Sequence, residues 1–334
     1  MRIAIVKLSA LGDVIHALPV AHALRRRFPD ARLAWIVEAR ESLLLQDHPD
    51  LDEVVAVDTR KWRRHLFSPG GATEVGTELW RSIRRLRDER FDVAIDLQGL
   101  IKSGILTALT GAPFRIGFGS GRCREALNGC FTNVRVVPPP SRIHVVDQYL
   151  ALLEPLGVRD PRPRFHLPSS PEAEQRIEEF FADHGIKSRD RLVALNPGAG
   201  RAGKRWPLSH FRALAERLSV DAGVRIILLW GPDEEALVRE IADGLTVRPI
   251  LGPRTSLTEL AVLLRQCALM VGSDTGPLHL AAALGRPTLG LYGPTSGRRN
   301  GPYGPGGRAI QSSDGTMAAI QPATVFRVAT ELLE

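Results

Sequence analysis

Gly157–Pro171 reads GVRDPRPRFHLPSSP, with four prolines and no helical period in fifteen residues. Proline fixes φ and has no N–H to donate, so neither a helix nor an inner strand runs through such a stretch. It is a linker, and it divides the 334 residues near their middle. Each side is then about the size of one domain, roughly 150 residues. The expected organisation is an N-terminal domain over 1–160, a C-terminal domain over 161–320 and a terminal helix over 321–334.

Outward from the linker, short apolar runs alternate with amphipathic ones. On the N-terminal side, strands are predicted at Arg2–Val6, Leu33–Val37, Val54–Asp58 and Val93–Leu97. Helices are predicted at Val14–Phe28, at Thr73–Arg90 with Leu79, Ile83 and Leu86 on one face, and at Ile101–Leu109. Beyond the linker the pattern restarts with helix Glu172–His184, strand Leu192–Asn196, helix Leu208–Asp221 and strand Arg225–Trp230. Helices Glu234–Gly244 and Leu257–Cys267, strand Ala268–Gly272, helix Pro277–Leu284 and strand Thr288–Tyr292 follow. Alternation of this kind predicts an α/β chain made of two doubly wound parallel sheets in tandem. Ligands in such sheets bind beyond the carboxyl ends of the strands, so the strand-to-helix loops are where chemistry is expected.

Composition narrows the class. With 44% hydrophobic and 24% charged residues the chain is neither disordered nor fibrous. The longest apolar stretch, Leu257–Gly272, is broken by Glu259 and Arg265, short of the roughly 18 residues a membrane span needs. Met1–Val6 reads straight into a strand, not a signal peptide. Three cysteines, Cys123, Cys130 and Cys267, have neither disulfide parity nor ligand spacing, which points to a reducing, cytoplasmic setting. Of the basic residues five are lysine and 39 arginine, and the net charge is +7. Arginine suits phosphate and carboxylate, although genome base composition produces the same bias. The charge is spread over both halves, so no nucleic-acid partner is expected.

The first loop, Lys7-Leu8-Ser9-Ala10-Leu11-Gly12-Asp13, lacks G-x-G-x-x-G, and no G-x-x-x-x-G-K-[ST] occurs anywhere. A dehydrogenase and a P-loop nucleotidase are thereby disfavoured. Asp13 is expected at the N-cap of the first helix, as a plain cap worth ~1 kcal/mol or as a general base facing the sheet mouth. Position alone leaves both open. Asn196–Pro207 holds three glycines and Lys204 before a helix start, which favours an anion site over a merely flexible loop. Gly272–His279 follows an apolar strand and opens a helix, so its free N–H groups face the same crevice. Asp274 there would repel a phosphate and suits sugar hydroxyls or loop bracing. His279 is either a ligand contact or structural. Glu234 is equally a helix-dipole partner and a ribose ligand. Arg60-Lys61-Trp62-Arg63-Arg64-His65 is the densest basic cluster, with Phe67–Gly76 beyond it expected to be mobile. Asp96–Ser103 is another polar strand-to-helix turn, and Arg124-Glu125 and His144 are weaker candidates.

Four of these pieces, KLSALGDVIHALP (7–19), DLQGLIKS (96–103), NPGAGRAGKRWP (196–207) and GSDTGPLHLAAALGRPTLGLYGPT (272–295), resemble the bacterial ADP-heptose:lipopolysaccharide heptosyltransferases of glycosyltransferase family 9. They stand in the family's order over nearly the whole chain. Gln98–Ser103 and Arg60–Arg64 look more like the type I enzyme than type II. The resemblance implies a GT-B fold: two Rossmann-like doubly wound domains facing a central cleft, acceptor site in the first and donor site in the second. It implies that the last helix, Ala323–Leu333, crosses back to the first domain. Asp13 would be the base and Lys204 would hold the donor phosphates. Ala199, Gly200, Glu234, Asp274, Thr275, Gly276 and His279 complete the donor side. On the acceptor side it implies Arg60, Arg63, Arg64 and Arg124, with Lys7, Ser9, Gln98, Lys102 and His144. Ala10 departs from the family, many of whose members have a second Ser or Thr there; that removes a hydroxyl near the acceptor.

The implied reaction is inverting transfer of L-glycero-D-manno-heptose from ADP-heptose to a Kdo residue of the lipopolysaccharide inner core. The partners are this donor and an anionic Kdo-containing glycolipid, met by peripheral contact with the cytoplasmic face of the inner membrane. No D-x-D or His/Asp ligand cluster stands out, so neither a cofactor nor a metal is expected. The alternatives are a type II-like enzyme with another heptose nucleotide or acceptor, a GT-B-like sugar-nucleotide epimerase, and a non-catalytic sugar-nucleotide binder.

Overall fold

The computed structural model describes residues 1–66, 81, 84–159, 161–167 and 169–334, with residues 63–66 described by backbone alone. The chain divides into two compact units, Met1–Pro168 and Ser169–Glu334. In the first, β1 (Arg2–Val6), β2 (Arg32–Glu38), β3 (Glu53–Val57), β4 (Val93–Asp96), β5 (Phe114–Phe118) and β6 (Val134–Val136) form one sheet in the order β3-β2-β1-β4-β5-β6. All its pairings are parallel, with Ile5 between Trp35 and Ile95 at the centre. Ile3–Val6 are wholly buried, because a parallel sheet covered on both faces demands apolar residues on both.

The second unit repeats the plan. Its strands are β7 (Leu192–Asn196), β8 (Arg225–Leu228), β9 (Ile250–Leu251), β10 (Leu269–Ser273), β11 (Thr288–Tyr292) and β12 (Gly307–Gln311), in the order β12-β11-β10-β7-β8-β9. Counted within the unit, that is the order of the first sheet, again all parallel. Two doubly wound sheets of one topology follow, as the alternating pattern predicts.

The helices that bear on the site are α1 (Leu11–Arg27), α2 (Thr59–Leu66), α3 (Ile101–Leu109), α4 (Val145–Ala151), α5 (Pro171–Asp183), α6 (Leu208–Asp221), α7 (Glu235–Ala242), α8 (Leu257–Arg265), α9 (Gly276–Ala283), α10 (Gly297–Asn300) and α11 (Pro322–Leu333). Arg25, Arg26 and Arg27 close α1 where the helix dipole is negative. In α8, Ser256 and Glu259 form a reciprocal capping box. The basic cluster at Arg60 is itself helical, opened by the Asp58 carboxylate accepting the Lys61 N–H at 2.8 Å. Most of the helix expected over Thr73–Arg90, with Leu79 and Ile83, and the segment Phe67–Gly76 lie outside the described residues. Leu86 is described and fully buried.

One expectation needs correction. Asp13 is not an N-cap: Ala10 holds that place in extended conformation, and Asp13 is the third residue of the helix. The last helix seats its buried face on its own unit. Val325 and Ala329 lie in one apolar cluster with Leu214 and Leu218 of α6.

Candidate active site

Where the strand order reverses, the loops leaving two neighbouring strands turn opposite ways and open a crevice. In the first sheet that point lies between β1 and β4. The loop after β1 is tied to the one after β4 by Gln98, whose Oε1 accepts the N–H groups of Leu8 (3.1 Å) and Ser9 (3.3 Å). Beneath it Asp96 is fully buried, accepting from the Gln98 and Gly99 N–H groups, the Ser103 hydroxyl and Asn128 Nδ2. Burial pushes its pKa up, against those hydrogen bonds.

Asp13 stands over this frame. Arg124 Nη2 lies 2.9 and 3.1 Å from its two oxygens, Lys7 Nζ is 3.8 Å away, and the Tyr149 hydroxyl donates to Oδ1 at 3.4 Å. Burial alone would raise the Asp13 pKa, but the Lys7 and Arg124 charges outweigh it and hold the carboxyl below its ordinary range. An ionised carboxylate in the first turn of α1 also gains from the helix dipole. Lys7 is completely buried and donates to Tyr149 Oη (2.6 Å) and the Leu97 carbonyl (3.3 Å). It therefore works on Asp13 and Tyr149 from behind, without a surface of its own for an acceptor. Arg124 is brought in by the loop after β5, which passes over Gly99. That glycine has φ +71°, and a Cβ on it would meet Arg124 N at 3.3 Å.

The other first-unit candidates are dispersed. Lys102 Nζ is 3.0 Å from Glu38 Oε1 and 3.3 Å from Thr59 Oγ1, while Glu38 also accepts the Thr59 hydroxyl and N–H. Beside them a cavity of ≈ 450 Å³ is lined by Glu38, Arg40, Glu41, Asp58, Arg60 and Lys61. Arg60 thus borders a cavity; the Arg63 and Arg64 side chains lie outside the described residues. His144 caps α4, its Nδ1 accepting the Val146 N–H, and stacks edge-on with His16. Ser9 is partly exposed beside the Gln98 tie.

In the second unit the reversal falls between β7 and β10. Asn196 at the end of β7 donates to Thr275 Oγ1 (3.2 Å), and Lys204 Nζ reaches Asp274 Oδ2 (2.7 Å). His279 Nε2 meets the other Asp274 oxygen at 2.9 Å. Burial would raise the Asp274 pKa, but His279 and Lys204 hold it well below the usual carboxylate range. Asp274 therefore braces Lys204 and His279 at the mouth of α9, whose Gly276 and Leu278 N–H groups have no acceptor within the helix. Glu234 Oε2 accepts the Gly231 N–H (3.0 Å) and packs on Gly198, where a Cβ would come within 1.9 Å of that oxygen. The Lys204-Arg205-Trp206 run has a buried anchor, since Trp206 donates to the Ile320 carbonyl at 2.9 Å. Ala199 is buried and Gly200 exposed on the same loop.

Lys204, Glu234, Asp274, Thr275, Gly276 and His279 thus gather around one loop cluster, and Lys7, Asp13, Gln98 and Arg124 around another. Tyr149 and Asn128 were not expected. Tyr149 had no signal beyond its place in an apolar helix. The expected absence of a His/Asp ligand cluster does not hold: His22, Asp50 and His166 bring ligand atoms within 4.8 Å of one another. Asp50-Leu51-Asp52 even has D-x-D spacing, but Asp52 is spent on Arg25 (2.6 Å) and the Leu33 N–H (2.7 Å).

The profile of glycosyltransferase family 9 (heptosyltransferase) matches residues 79–326. The Escherichia coli heptosyltransferase WaaC, solved with ADP-2-deoxy-2-fluoro heptose, superposes with a TM-score of 0.79 at 28% identity, covering 99% of each chain. Fold and site together define a glycosyltransferase of the GT-B class. Among curated relatives, lipopolysaccharide heptosyltransferase 1 of Salmonella typhimurium is 31% identical over 98% of this chain and 99% of its own. Lipopolysaccharide heptosyltransferase 2 of E. coli is 28% identical over 89% of this chain and 84% of its own. The chain belongs to glycosyltransferase family 9, the heptosyltransferases.

Proposed function

We propose that this enzyme is a type I lipopolysaccharide heptosyltransferase, moving L-glycero-D-manno-heptose from ADP-heptose to a Kdo residue of the inner core with inversion. The observation that carries the reading is Asp13: an ionised carboxylate in the first turn of α1, flanked by Lys7 and Arg124. The acceptor hydroxyl attacks the anomeric carbon as the bond from that carbon to the ADP oxygen breaks. Its proton passes to Asp13 late, once bond formation has made it acidic, which is why a carboxylate of low basicity suffices. Negative charge growing on the departing diphosphate is met by Lys204 and by the N–H groups opening α9. Glu234 holds the ribose, and Ala199, Gly200, Thr275 and His279 line the donor. Arg60, Arg63, Arg64 and Lys102 attract the anionic acceptor, with Ser9, Gln98 and His144 on the same side. The arginine-rich surface that begins at Arg60 docks on anionic lipid of the inner membrane, where the acceptor is anchored.

The longer and closer match to a type 1 relative supports type I over type II. The ADP-sugar complex of the E. coli neighbour supports the donor. The test is ADP release from the purified protein given ADP-heptose, with and without a Kdo-bearing lipid A precursor. Release that needs this acceptor is expected. Release only with an acceptor already carrying one heptose would make the enzyme type II. No release with either, despite ADP binding, would overturn the heptosyl reading.

A further inference from the structure

His22, Asp50 and His166 lie at the other end of the first sheet from Asp13. Helix α1 runs back along the sheet from the carboxyl end of β1, so His22, nine residues after Asp13, is about 14 Å further along the axis. Asp50 lies in the loop three residues before β3, and His166 belongs to the proline-rich stretch. Asp50 Oδ2 is 2.7 Å from His166 Nδ1 and 3.5 Å from His22 Nδ1, and one ligand atom from each of the three residues lies within 4.8 Å of the others. The His22 and His166 rings meet edge to face at 4.7 Å.

This is an unusual place to leave donors idle. His22 is 9% exposed; its Nδ1 has only the long contact to Asp50, and its Nε2 has no hydrogen-bond partner. A buried imidazole without partners costs stability unless a ligand fills the gap. Asp50 is itself buried, and the loop bearing it is tightened by His48, whose Nδ1 accepts the Asp50 N–H at 3.2 Å.

We propose that His22, Asp50 and His166 bind one divalent metal ion of borderline softness, of which Zn²⁺ is the type, and that the ion staples the linker to α1 and to the loop before β3. Two imidazoles and a carboxylate are a donor set Zn²⁺ takes, and donor atoms within 4.8 Å can converge on one centre at about 2.0–2.2 Å each. His166 is the most exposed of the three, which leaves room for a water as fourth ligand. One carboxylate leaves the filled site with a net positive charge, and Arg26 beside His22 opposes it further. The role is structural, remote from the loops at Asp13 and independent of the donor and acceptor assigned above.

The test is isothermal titration of tag-free, chelator-stripped protein with Zn²⁺, repeated with Co²⁺ for its visible spectrum. One equivalent per chain with Kd near or below about 10 µM is expected. So are intense tetrahedral-type Co²⁺ bands, a rise in Tm with metal and slower amide exchange at residues 164–167. His166→Ala, at a half-exposed position, should weaken binding at least about 100-fold, since loss of even an outer partner costs 10–100-fold. Asp50→Asn, which keeps the side chain's shape, should do the same. No saturable single equivalent, or binding unchanged in both variants, would overturn the proposal.

Discussion

A carboxylate can serve as base only if it is ionised when the acceptor arrives, and at Asp13 that condition is met by two cations rather than by solvent. Asp13→Asn removes the proton acceptor while keeping shape. Turnover is expected to fall about 10²–10⁴-fold with ADP affinity unchanged; equal turnover in a steady-state assay would end the assignment. Arg124 is the nearer and more accessible of the two cations. Since it lowers the Asp13 pKa, removing it as Arg124→Gln raises that pKa, and the acid limb of the kcat/KM–pH profile moves to higher pH. An acid limb that stays put while acceptor KM alone rises would make Arg124 an acceptor contact only. The Asp13 position was legible in the sequence as the end of a strand-to-helix loop. Its partners were not, because Arg124 and Tyr149 lie 111 and 136 residues away and nothing in their neighbourhoods names Asp13 as their target.

Between elements, the loops of the second unit are held by contacts that link β7 and β10. Asp274 is the knot, with Lys204 on one oxygen and His279 on the other. Its folded-state pKa is depressed, so the pair contributes stability that is present above the unfolded value of 3.8 and is lost as pH falls through the folded one. Asp274→Asn is accordingly expected to be less stable than wild type at neutral pH and to show a shallower loss of stability below about pH 4. Parallel denaturant titrations at pH 7 and pH 3 measure this, and parallel stability curves for the two proteins would refute it. Gly198 carries a second element-scale test. An alanine there must push the Glu234 carboxylate off its seat at the start of α7. If Glu234 binds the ribose, Gly198→Ala and Glu234→Ala each weaken ADP binding about tenfold, the scale of one hydrogen bond to a charged group. The double variant then adds little. ADP affinity unchanged in both leaves Glu234 as support for the Gly231 turn.

For the whole molecule, the net charge of +7 and the basic run from Arg60 bear on the proposed docking at a lipid surface. Among the described residues no helix is long and apolar enough to cross a membrane. Peripheral docking by charge predicts retention on anionic vesicles at low salt, with about 1 kcal/mol per basic residue near the surface, and release as the Debye length shrinks. Sedimentation showing no binding at low salt would remove this part of the proposal.

Most of the strands that were read are inner ones, where burial on both faces makes continuous apolar runs; the edge strand β3 was read from its valines alone. β5, β6, β9 and β12 went unread. VRV and IL are short and GRAIQ has no buried residue, while FRIGF is interrupted by Arg115 and Gly117, so each carries a weak apolar signal. The proline-rich stretch, the two-fold repetition of the fold and the glycine-rich loop at Asn196–Pro207 were all written locally, in proline, periodicity and turn residues. The ties around Asp13, the seat of Glu234 on Gly198, the docking of α11 within its own unit and the His22–Asp50–His166 cluster were decided only by tertiary structure. Local sequence sets which way a segment is patterned to fold and which face it buries. It carries no record of which distant side chain the sheet order will bring opposite, and charges and imidazoles acquire their chemistry from that neighbour.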